Sequence, residues 1–466
     1  MRPRAPRCVC QAVTIFAALT QAVSADPEGV AAGEALGATI TGRMASDGVA
    51  GAVVVLIEDG APVWTGAFGM ADPATGRPMT TDALFRVESI SKPVTAWGAM
   101  RLAETGRLDL DAPIGGYLTR WTPPGDAAAI TPRALLSHSA GLGLGDFAAR
   151  FPPGAERPDL PGHVAEDVAL IAPPGAGFSY SDTGYSLLEL VIEDATGEDF
   201  AALLSREVLE PLGMAQASFD WTGKPIPVGH DLHEQPVAPY VYPGRASGGL
   251  HATAADIARF AVAGMAGADQ QVLSPDDVAR LHRSEVAVGG LFGFAAEGYG
   301  LGHFTERLSD GRRAVWHGGQ GYGWMSHLHL VPDTGDGIVI LSNSQRAWPL
   351  FAAILREWSE RLGVAPVGMA RVLWAERAAQ GAIALGLAVA ALGLWRAYRG
   401  NRRRALLLRM LSGGVALPLV LWPLWALWQD YLFLFSILPG LWPWLGAASA
   451  LAGTGLAAMA LGPGRG

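Results

Sequence analysis

Apolar positions along the chain form two strand-like regions, separated by helical patterns and followed by long apolar stretches. In residues 48–72, apolar runs flank EDGAP, a turn signal, and predict two strands. Residues 313–344 predict further strands, with a hairpin at PDTGDG. Since these strands lie near the two ends of residues 26–365, we expect one sheet built from both ends of that region.

Three helical patterns lie between the strand regions. The first begins near Ser89 and ends at Gly106, a residue type common just after helices. The second, TPRALLSHSAG, has Thr131 as N-cap and proline at its first position, and the third runs from near Asp182 to Gly197. This arrangement predicts an α+β fold, an α/β sandwich, with an antiparallel sheet and an inserted helical domain.

The C-terminal part of the chain reads as three transmembrane helices. Uncharged apolar stretches at about 378–395, 411–428 and 437–461 are each long enough to cross a bilayer. An arginine cluster at 396–409 is expected to stay on the cytoplasmic side. The spans contain no charged residue, which argues against a transport pathway but leaves a membrane signalling component open.

The N-terminus has the pattern of a secretory signal peptide, residues 1–25. Three arginines precede an apolar run at 9–19, and the small residues Val23 and Ala25 occupy the usual cleavage positions. An uncleaved N-terminal anchor is the alternative, although the run is short for a span. Both cysteines, Cys8 and Cys10, lie in this segment, so cleavage would remove any thiol chemistry.

These signals divide the 466 residues into a signal peptide, an exported domain at 26–365, a linker at 366–377 and spans at 378–461. We expect the domain on the periplasmic side of a cell inner membrane, because signal and charge bias agree. Half of the residues are hydrophobic, as expected when part of a chain lies in lipid. The net charge of −9 gives no basic footprint for nucleic acid, so no nucleic-acid partner is expected.

Ser89-Ile90-Ser91-Lys92 is the first candidate for chemistry. The chain has only two lysines, Lys92 and Lys224, against 32 arginines. On a helix, Lys92 lies one turn after Ser89 on the same face, within reach of its hydroxyl. A buried lysine can lose its proton and act as a base for the serine, whereas arginine stays protonated. A chance match to this short pattern is the alternative.

Four further stretches resemble one family in order and separation. They are ITPRALLSHSAGL (130–142), PPGAGFSYSDTGYSLLELVIEDATG (173–197), ASGGLHATAADIARF (246–260) and WHGGQGYGW (316–324). With the S-x-x-K pattern, they resemble the serine β-lactamase and penicillin-binding-protein superfamily, in its class C β-lactamase-like branch. The resemblance covers about residues 35–350. It implies a serine hydrolase that works through an acyl-enzyme without metal or organic cofactor.

The family's Tyr-x-Asn motif here reads Tyr180-Ser181-Asp182. The resemblance implies that Tyr180 and Lys92 move protons between Ser89 and the leaving group. Asp182 departs from the family's asparagine, because an ionised carboxylate only accepts hydrogen bonds and favours a charged lysine. We therefore expect Asp182 to disfavour β-lactam-like amides and to shift activity toward esters or another acyl group.

The family's Lys-Thr-Gly motif here reads His317-Gly318-Gly319. Histidine is mostly neutral above pH ~6.5, so it gives no permanent cation for a substrate carboxylate. The resemblance implies that His317 and Gly319 bind or tune the substrate. It also implies that the backbone amides of Ser89 and Gln320 form the oxyanion hole. A purely structural role is the alternative for His317.

Other histidines are weaker candidates. His138 stands at a helix end, where capping or packing is the favoured role. His327 and His329 alternate with leucines and project from one face of a strand, but no acidic residue lies at ligand spacing. No metal site is therefore predicted.

The sequence thus predicts a membrane-anchored serine hydrolase acting on a small-molecule or peptide substrate. Esters, D-amino-acid peptides and β-lactams all stay open as substrates, and so does the oligomeric state. The lipid bilayer is the other expected partner, through the C-terminal spans. The alternative is a catalytically weak or inactive penicillin-binding-like sensor. Asp182 is the reason to consider it, because its carboxylate replaces the family's asparagine.

Overall fold

The computed structural model of the chain describes residues 27–146, 149–399, 406–427 and 433–461. The predicted signal peptide, residues 1–25, lies outside them. The strands, in chain order, are β1 (Gly51–Glu58), β2 (Ala61–Asp72), β3 (Arg77–Pro78), β4 (Leu84–Arg86), β5 (Gly229–His230), β6 (Pro236–Val237), β7 (His251–Thr253), β8 (Val286–Ala287), β9 (Gly298–Tyr299), β10 (Phe304–Arg307), β11 (Arg313–Gln320), β12 (Met325–Val331) and β13 (Asp336–Ser342).

The helices surround this sheet and continue into the C-terminal region. In chain order they are α1 (Pro27–Asp47), α2 (Ser91–Glu104), α3 (Pro132–Leu136), α4 (Leu160–Asp167), α5 (Asp182–Thr196), α6 (Phe200–Leu204), α7 (Ala254–Ala263), α8 (Pro275–Leu281), α9 (Trp348–Arg361), α10 (Val372–Arg399), α11 (Leu406–Leu427), α12 (Phe433–Ile437) and α13 (Trp442–Leu461). A short 3-10 turn, Glu88–Ile90, leads into α2, and another, Gly368–Arg371, leads into α10.

One antiparallel sheet joins the two ends of the globular region, as predicted. Its strand order is β3-β2-β1-β13-β12-β11-β10-β9-β8, and each neighbouring pair runs antiparallel. The join is between β1 and β13, with Val54 opposite Ile340. Both strands of the join come from the regions that the apolar pattern identified.

The sheet is buried on both faces, which explains why β1 is apolar without alternation. Because successive side chains point to opposite faces, Val53 and Val55 enter the core under the inserted helices. Ala52 and Val54 face the second core, which contains residues of α1 and α9. The predicted sandwich of helices around a sheet is therefore confirmed.

The predicted helices occur, with one difference in length. The helices α2 and α5 match the expected starts and ends, and Gly197 takes a left-handed φ of 69° after α5. By contrast, α3 ends at Leu136, earlier than its pattern. The Ser137 hydroxyl donates to the Arg133 carbonyl oxygen at 2.8 Å, and His138 takes a left-handed φ of 55°, which ends the helix.

Three C-terminal helices are long and apolar enough to cross a membrane, Gly368–Arg399, Met410–Leu427 and Trp442–Leu461. They indicate that the protein associates with a membrane. The first begins at Gly368, within the predicted linker of 366–377. Its early residues Met369 and Val372 are buried in the same core as α9.

The third of these helices, α13, packs closely between α10 and α11 through small residues. A Cβ added at Gly393 would lie only 2.5 Å from the Gly455 carbonyl oxygen, so glycine permits the approach. On the other side, the Ser449 hydroxyl accepts from Trp422 Nε1 at 2.6 Å and donates to the Leu419 carbonyl oxygen at 2.7 Å.

A buried polar cluster lies between the sheet and α9. His327 Nε2 is 3.3 Å from His329 Nδ1, and His329 Nε2 is 3.4 Å from Glu306 Oε1. Glu306 comes from β10, so its proximity depends on strand pairing and not on sequence spacing. In the described part of the chain, no group of three or more His, Cys, Asp or Glu residues is arranged to hold a metal ion.

Glu306 makes stability depend on pH. Burial raises the pKa of Glu306 from 4.5 to about 7, and the hydrogen bond from the Gly368 amide opposes this by lowering it. The folded state therefore holds this proton more tightly than the unfolded state, and its stabilisation is lost as pH rises from about 4.5 to about 7. The difference corresponds to about 3 kcal/mol of unfolding free energy.

We expect Glu306→Gln to reduce the pH dependence of unfolding, because glutamine stays neutral and keeps an acceptor for Gly368. Between pH 5 and pH 8, the thermal midpoint of the wild type should fall by more than that of the variant. Intrinsic tryptophan fluorescence of the full chain in detergent measures both midpoints. Glu360→Gln, at a side chain 67% exposed, is the control, and equal shifts in Glu306→Gln and wild type would contradict the assignment.

Candidate active site

Ser89 stands in a constrained turn between the two parts of the globular region. The strand β4 pairs with β7, and Val87 N donates to the Leu250 carbonyl oxygen at 3.0 Å. The turn then continues into α2, and the Ser91 hydroxyl donates to the Glu88 carbonyl oxygen at 2.6 Å. These contacts leave the Ser89 side chain partly exposed at the start of the helix.

Lys92 lies one helical turn later, as predicted, and is fully buried. Its Nζ is 3.1 Å from Ser89 Oγ, 2.5 Å from Asp182 Oδ1 and 2.9 Å from the Ser247 carbonyl oxygen. Burial lowers the pKa of Lys92 from its usual value, while the charge and hydrogen bond of Asp182 oppose that change. The lysine therefore lies between two opposing influences.

The three contacts of Lys92 fit either protonation state. As an ammonium, Nζ donates one hydrogen bond to each partner. As a neutral amine, it donates to Asp182 and Ser247, and its lone pair accepts from the Ser89 hydroxyl. The second state is the one in which the amine can take the serine proton.

Tyr180 precedes α5 and lies on the other side of Ser89. Its ring centroid is 4.2 Å from that of His138 and 5.2 Å from that of Phe292, and Lys92 Nζ is 5.0 Å from its centre. Burial and the negative charge of Asp182 raise the pKa of Tyr180 well above its usual value, and a hydrogen bond with Ser89 lowers it. The phenol is therefore neutral and positioned to relay a proton.

His138 holds the tyrosine loop in place, which sequence reasoning did not identify. Its Nδ1 accepts a hydrogen bond from Ser181 N at 3.1 Å, and its carbonyl oxygen accepts from Ser179 N at 2.7 Å. Burial and the positive charge of Lys92 keep the pKa of His138 well below its usual value. A neutral histidine therefore bridges both neighbours of Tyr180, in addition to its packing role.

The strand β11 passes directly beside the Ser89 turn. A Cβ added at Gly319 would lie 2.4 Å from the Val87 carbonyl oxygen, so only glycine allows this approach. Ser326 on the next strand donates its hydroxyl to the same oxygen at 2.6 Å. The approach brings Gln320 to the pocket wall beside Ser89.

His317 lies behind this wall and not in it. Burial and the charge of Lys92 lower its pKa well below the usual value. Its Nδ1 is 2.9 Å from the Gly318 carbonyl oxygen and therefore carries the proton, while Nε2 accepts from the Tyr299 hydroxyl at 3.1 Å. Its expected role as a binding or tuning residue stays a prediction.

Glu88 is a second residue that sequence reasoning missed. It takes a left-handed φ of 49° immediately before Ser89, which is uncommon for a residue with a side chain. Its buried carboxylate accepts from Arg86 Nε at 2.9 Å and from the hydroxyls of Tyr240 at 3.0 Å and Tyr242 at 2.9 Å. An acidic residue next to the candidate serine was the available signal.

Two pockets of different character meet at Ser89. The polar pocket has a volume of about 450 Å³, including its open mouth, and the apolar pocket about 540 Å³. The polar pocket is lined by carboxylates and by small and polar residues, among them Glu88, Asp146, Asp167 and Asp182. The apolar pocket is lined by Tyr180, Phe292, Phe304, Trp316, Trp348 and Met369, together with Ser89, Asp182, Ala295, Gly318 and Gln320.

The structure therefore brings most of the predicted site residues together. Ser89, Lys92, Tyr180 and Asp182 lie within one network, and Gln320 shares both pockets with Ser89. In the described residues, neither pocket lining includes arginine or lysine. The site thus holds one buried amine and several carboxylates.

Comparisons with known proteins identify the family. The family profile described as beta-lactamase matches residues 36–357. Esterase EstB of Burkholderia gladioli is 28% identical over 348 residues, which cover 63% of this chain and 86% of the esterase. Penicillin-binding protein 4 of Amycolatopsis lactamdurans is 29% identical over 338 residues, which cover 66% and 84% of the two chains.

A solved structure shows the same fold. The octameric penicillin-binding protein homologue from Pyrococcus abyssi superposes with a TM-score of 0.62 at 25% identity. The superposition covers 72% of this chain and 78% of that chain. It includes too much of the globular region for the likeness to rest on the sheet alone.

We expect Glu88→Gln to destabilise the fold, because the buried Arg86 charge would lose its carboxylate. Breaking a buried pair in this way costs about 3–5 kcal/mol of unfolding free energy. Thermal unfolding of the full chain in detergent would show it as a lower midpoint. Glu156→Gln, at an exposed position, is the control. A midpoint equal to wild type would show that the pair does not support the Ser89 turn.

Proposed function

Since the chain belongs to the beta-lactamase family of serine hydrolases, we propose that it is a membrane-anchored enzyme in which Ser89 attacks an ester or amide carbonyl. The observation that carries this proposal is the partly exposed Ser89 hydroxyl, which lies 3.1 Å from a buried lysine amine and lines the same pocket as Tyr180. A serine needs such an adjacent base to become a nucleophile.

In the proposed reaction, neutral Lys92 takes the hydroxyl proton as Ser89 Oγ bonds to the carbonyl carbon. The backbone amides of Ser89 and Gln320 donate to the oxyanion, whose collapse releases the leaving group. Tyr180 passes the proton to the departing oxygen or nitrogen. Water then attacks the acyl-enzyme along the same proton route, and Ser89 is restored.

We place the globular region on the periplasmic side of the inner membrane, anchored by the three C-terminal helices. Their length and apolar character support a membrane location. The arginine cluster between the first two spans and the N-terminal signal pattern support this orientation. The domain limits of 26–365 and the signal peptide of 1–25 belong to the same proposal.

The pocket linings favour a neutral ester among the possible substrates. Carboxylates line the polar pocket, and the apolar pocket contains aromatic side chains and Met369. The described residues that line the two pockets include no arginine or lysine. A substrate carboxylate would therefore find neither as a partner there. Since an unpaired buried anion is strongly unfavourable, a substrate with an apolar group suits the site better than an anionic peptide or β-lactam.

A sensor with little turnover is the second candidate, and one contact favours it. Asp182 Oδ1 lies 2.5 Å from Lys92 Nζ, and a carboxylate at that distance stabilises the charged lysine. A charged lysine has no lone pair with which to activate Ser89. The balance between burial and Asp182 therefore separates an enzyme from a binding module.

Covalent labelling tests the nucleophile. We expect the full chain in detergent to react with a fluorophosphonate, because the probe needs only an activated serine, and to react weakly with a fluorescent penicillin, which carries a carboxylate. Ser89→Ala should lose all labelling. In-gel fluorescence measures both probes.

Ser91→Ala is unsuitable as the control, because its hydroxyl supports the turn; Ser139→Ala, at a serine outside both pocket linings, serves instead. Labelling that survives in Ser89→Ala would exclude Ser89 as nucleophile. If neither probe labels the wild type, the result favours the binding module.

Asp182→Asn should change substrate preference. We expect the ratio of kcat/KM on a β-lactam to kcat/KM on a short aryl ester to rise, because asparagine supplies an amide donor. Loss of the charge also removes what raises the pKa of Lys92, so the acidic limb of the pH–rate profile should move to lower pH.

Asp167→Asn is the matched control, because it removes a charge from the same pocket at a residue that does not contact Lys92. The Asp167 carboxylate accepts a hydrogen bond from the Thr183 hydroxyl instead. Steady-state kinetics across pH on both substrates decide the question. An unchanged ratio in Asp182→Asn would reject the role of Asp182 in substrate preference.

A further inference from the structure

Residues 435–438, which lie between the second and third candidate spans, enter the core of the globular region. Among them, Ser436 is fully buried at the end of α12. Ile437 and Leu438 belong to the same apolar core as Trp348 and Phe351 of α9. The membrane-spanning region and the active-site region are therefore packed into one unit at this point.

Ser436 holds the side chain of Gln320. The Gln320 Nε2 donates to Ser436 Oγ at 3.0 Å, and its Oε1 accepts from Trp348 Nε1 at 2.8 Å. All three side chains are buried. The amide is thus held at one end by α9 and at the other by the segment between the spans, so its plane is set by two separate elements.

Gln320 is next to the reacting centre. It follows Gly319, which passes against the Val87 carbonyl oxygen, and it lines both pockets with Ser89. Its backbone amide is the second oxyanion donor in the proposed reaction. Oxyanion donors stabilise the transition state only when they are held in a fixed geometry, so the bonds that fix this residue affect the rate.

A second segment adjoining the membrane helices lies beside the same pocket. Met369, in the turn that leads into α10, lines the apolar pocket together with Trp348. The backbone N–H of Gly368, the preceding residue, donates a hydrogen bond to Glu306 Oε2 in β10. The wall of the apolar pocket therefore includes Met369, a residue at the start of the first candidate span.

We propose that Ser436 is a positioning residue for the oxyanion hole, and that residues 435–438, between the second and third spans, complete the active site. The inference rests on the proposed function, since it concerns the same Ser89 reaction. The C-terminal region is then part of the catalytic structure as well as an anchor. Removing it would leave the buried Gln320 amide without one of its two partners.

Ser436→Ala in the full chain in detergent tests the proposal. We expect kcat on a short aryl ester to fall about tenfold, a fraction of the effect of losing an oxyanion donor outright, with KM within about twofold of wild type. The rate of fluorophosphonate labelling should fall in proportion. Rates are divided by the amount of protein that labels at completion, so partial misfolding does not imitate the effect.

Two variants separate positioning from general damage. Ser436→Thr keeps the hydroxyl acceptor and should restore kcat to within about threefold of wild type. Ser449→Ala removes a different buried hydroxyl, which accepts a hydrogen bond from Trp422 within the helical bundle. We expect it to lower the thermal midpoint without changing kcat.

The outcomes distinguish the two proposals. A normal kcat in Ser436→Ala, with activity lost in Ser89→Ala, overturns the positioning role and leaves the hydrolase intact. Equal losses of kcat in Ser436→Ala and Ser449→Ala also overturn it, because they point to the integrity of the bundle. Hydrolysis that survives in Ser89→Ala overturns the proposed function itself.

Discussion

The buried amine of Lys92 is the contact on which the candidate site depends. It joins Ser89 on the turn before α2, Asp182 at the start of α5 and the Ser247 carbonyl oxygen in the loop before β7. Burial disfavours its charge and Asp182 favours it, so a small change in either alters the fraction of neutral amine. Three elements far apart in the chain must pack correctly for this one nitrogen to keep its partners.

A further layer of polar contacts keeps these partners in place. Glu88 holds the strained turn before Ser89 through Arg86 and two tyrosine hydroxyls, and His138 holds both neighbours of Tyr180. Gln320 is held through Ser436, in the segment between two candidate spans. The buried polar groups fix orientation as much as they add stability, because each loses hydrogen bonds if its neighbour moves. The candidate site and the candidate membrane helices therefore share part of one core.

Much of the fold could be predicted from local patterns. The apolar strands β1 and β13, the ends of α5 and the apolar C-terminal stretches are each signalled within a few residues. Ser89 and Lys92 were predicted together because a helical turn brings positions three apart onto one face. Tyr180 and Gln320 needed the family resemblance, because nothing in their own segments points to Ser89. Local sequence does not encode how distant segments meet, so Glu88, His138 and Ser436 were not assigned their present contacts.

The amino-acid order was enough for the helices, the two strand regions and the chemistry of the serine and lysine, because these follow from periodicity, capping and ionisation of individual residues. Tertiary packing decided the protonation balance of Lys92, the position of His317 behind the pocket wall and the proximity of Glu306 to His329. The same holds for the bond from Gln320 to Ser436. Burial and distances between residues far apart in the chain determine each of these, and both arise only when the sheet, the inserted helices and the C-terminal region close around one another.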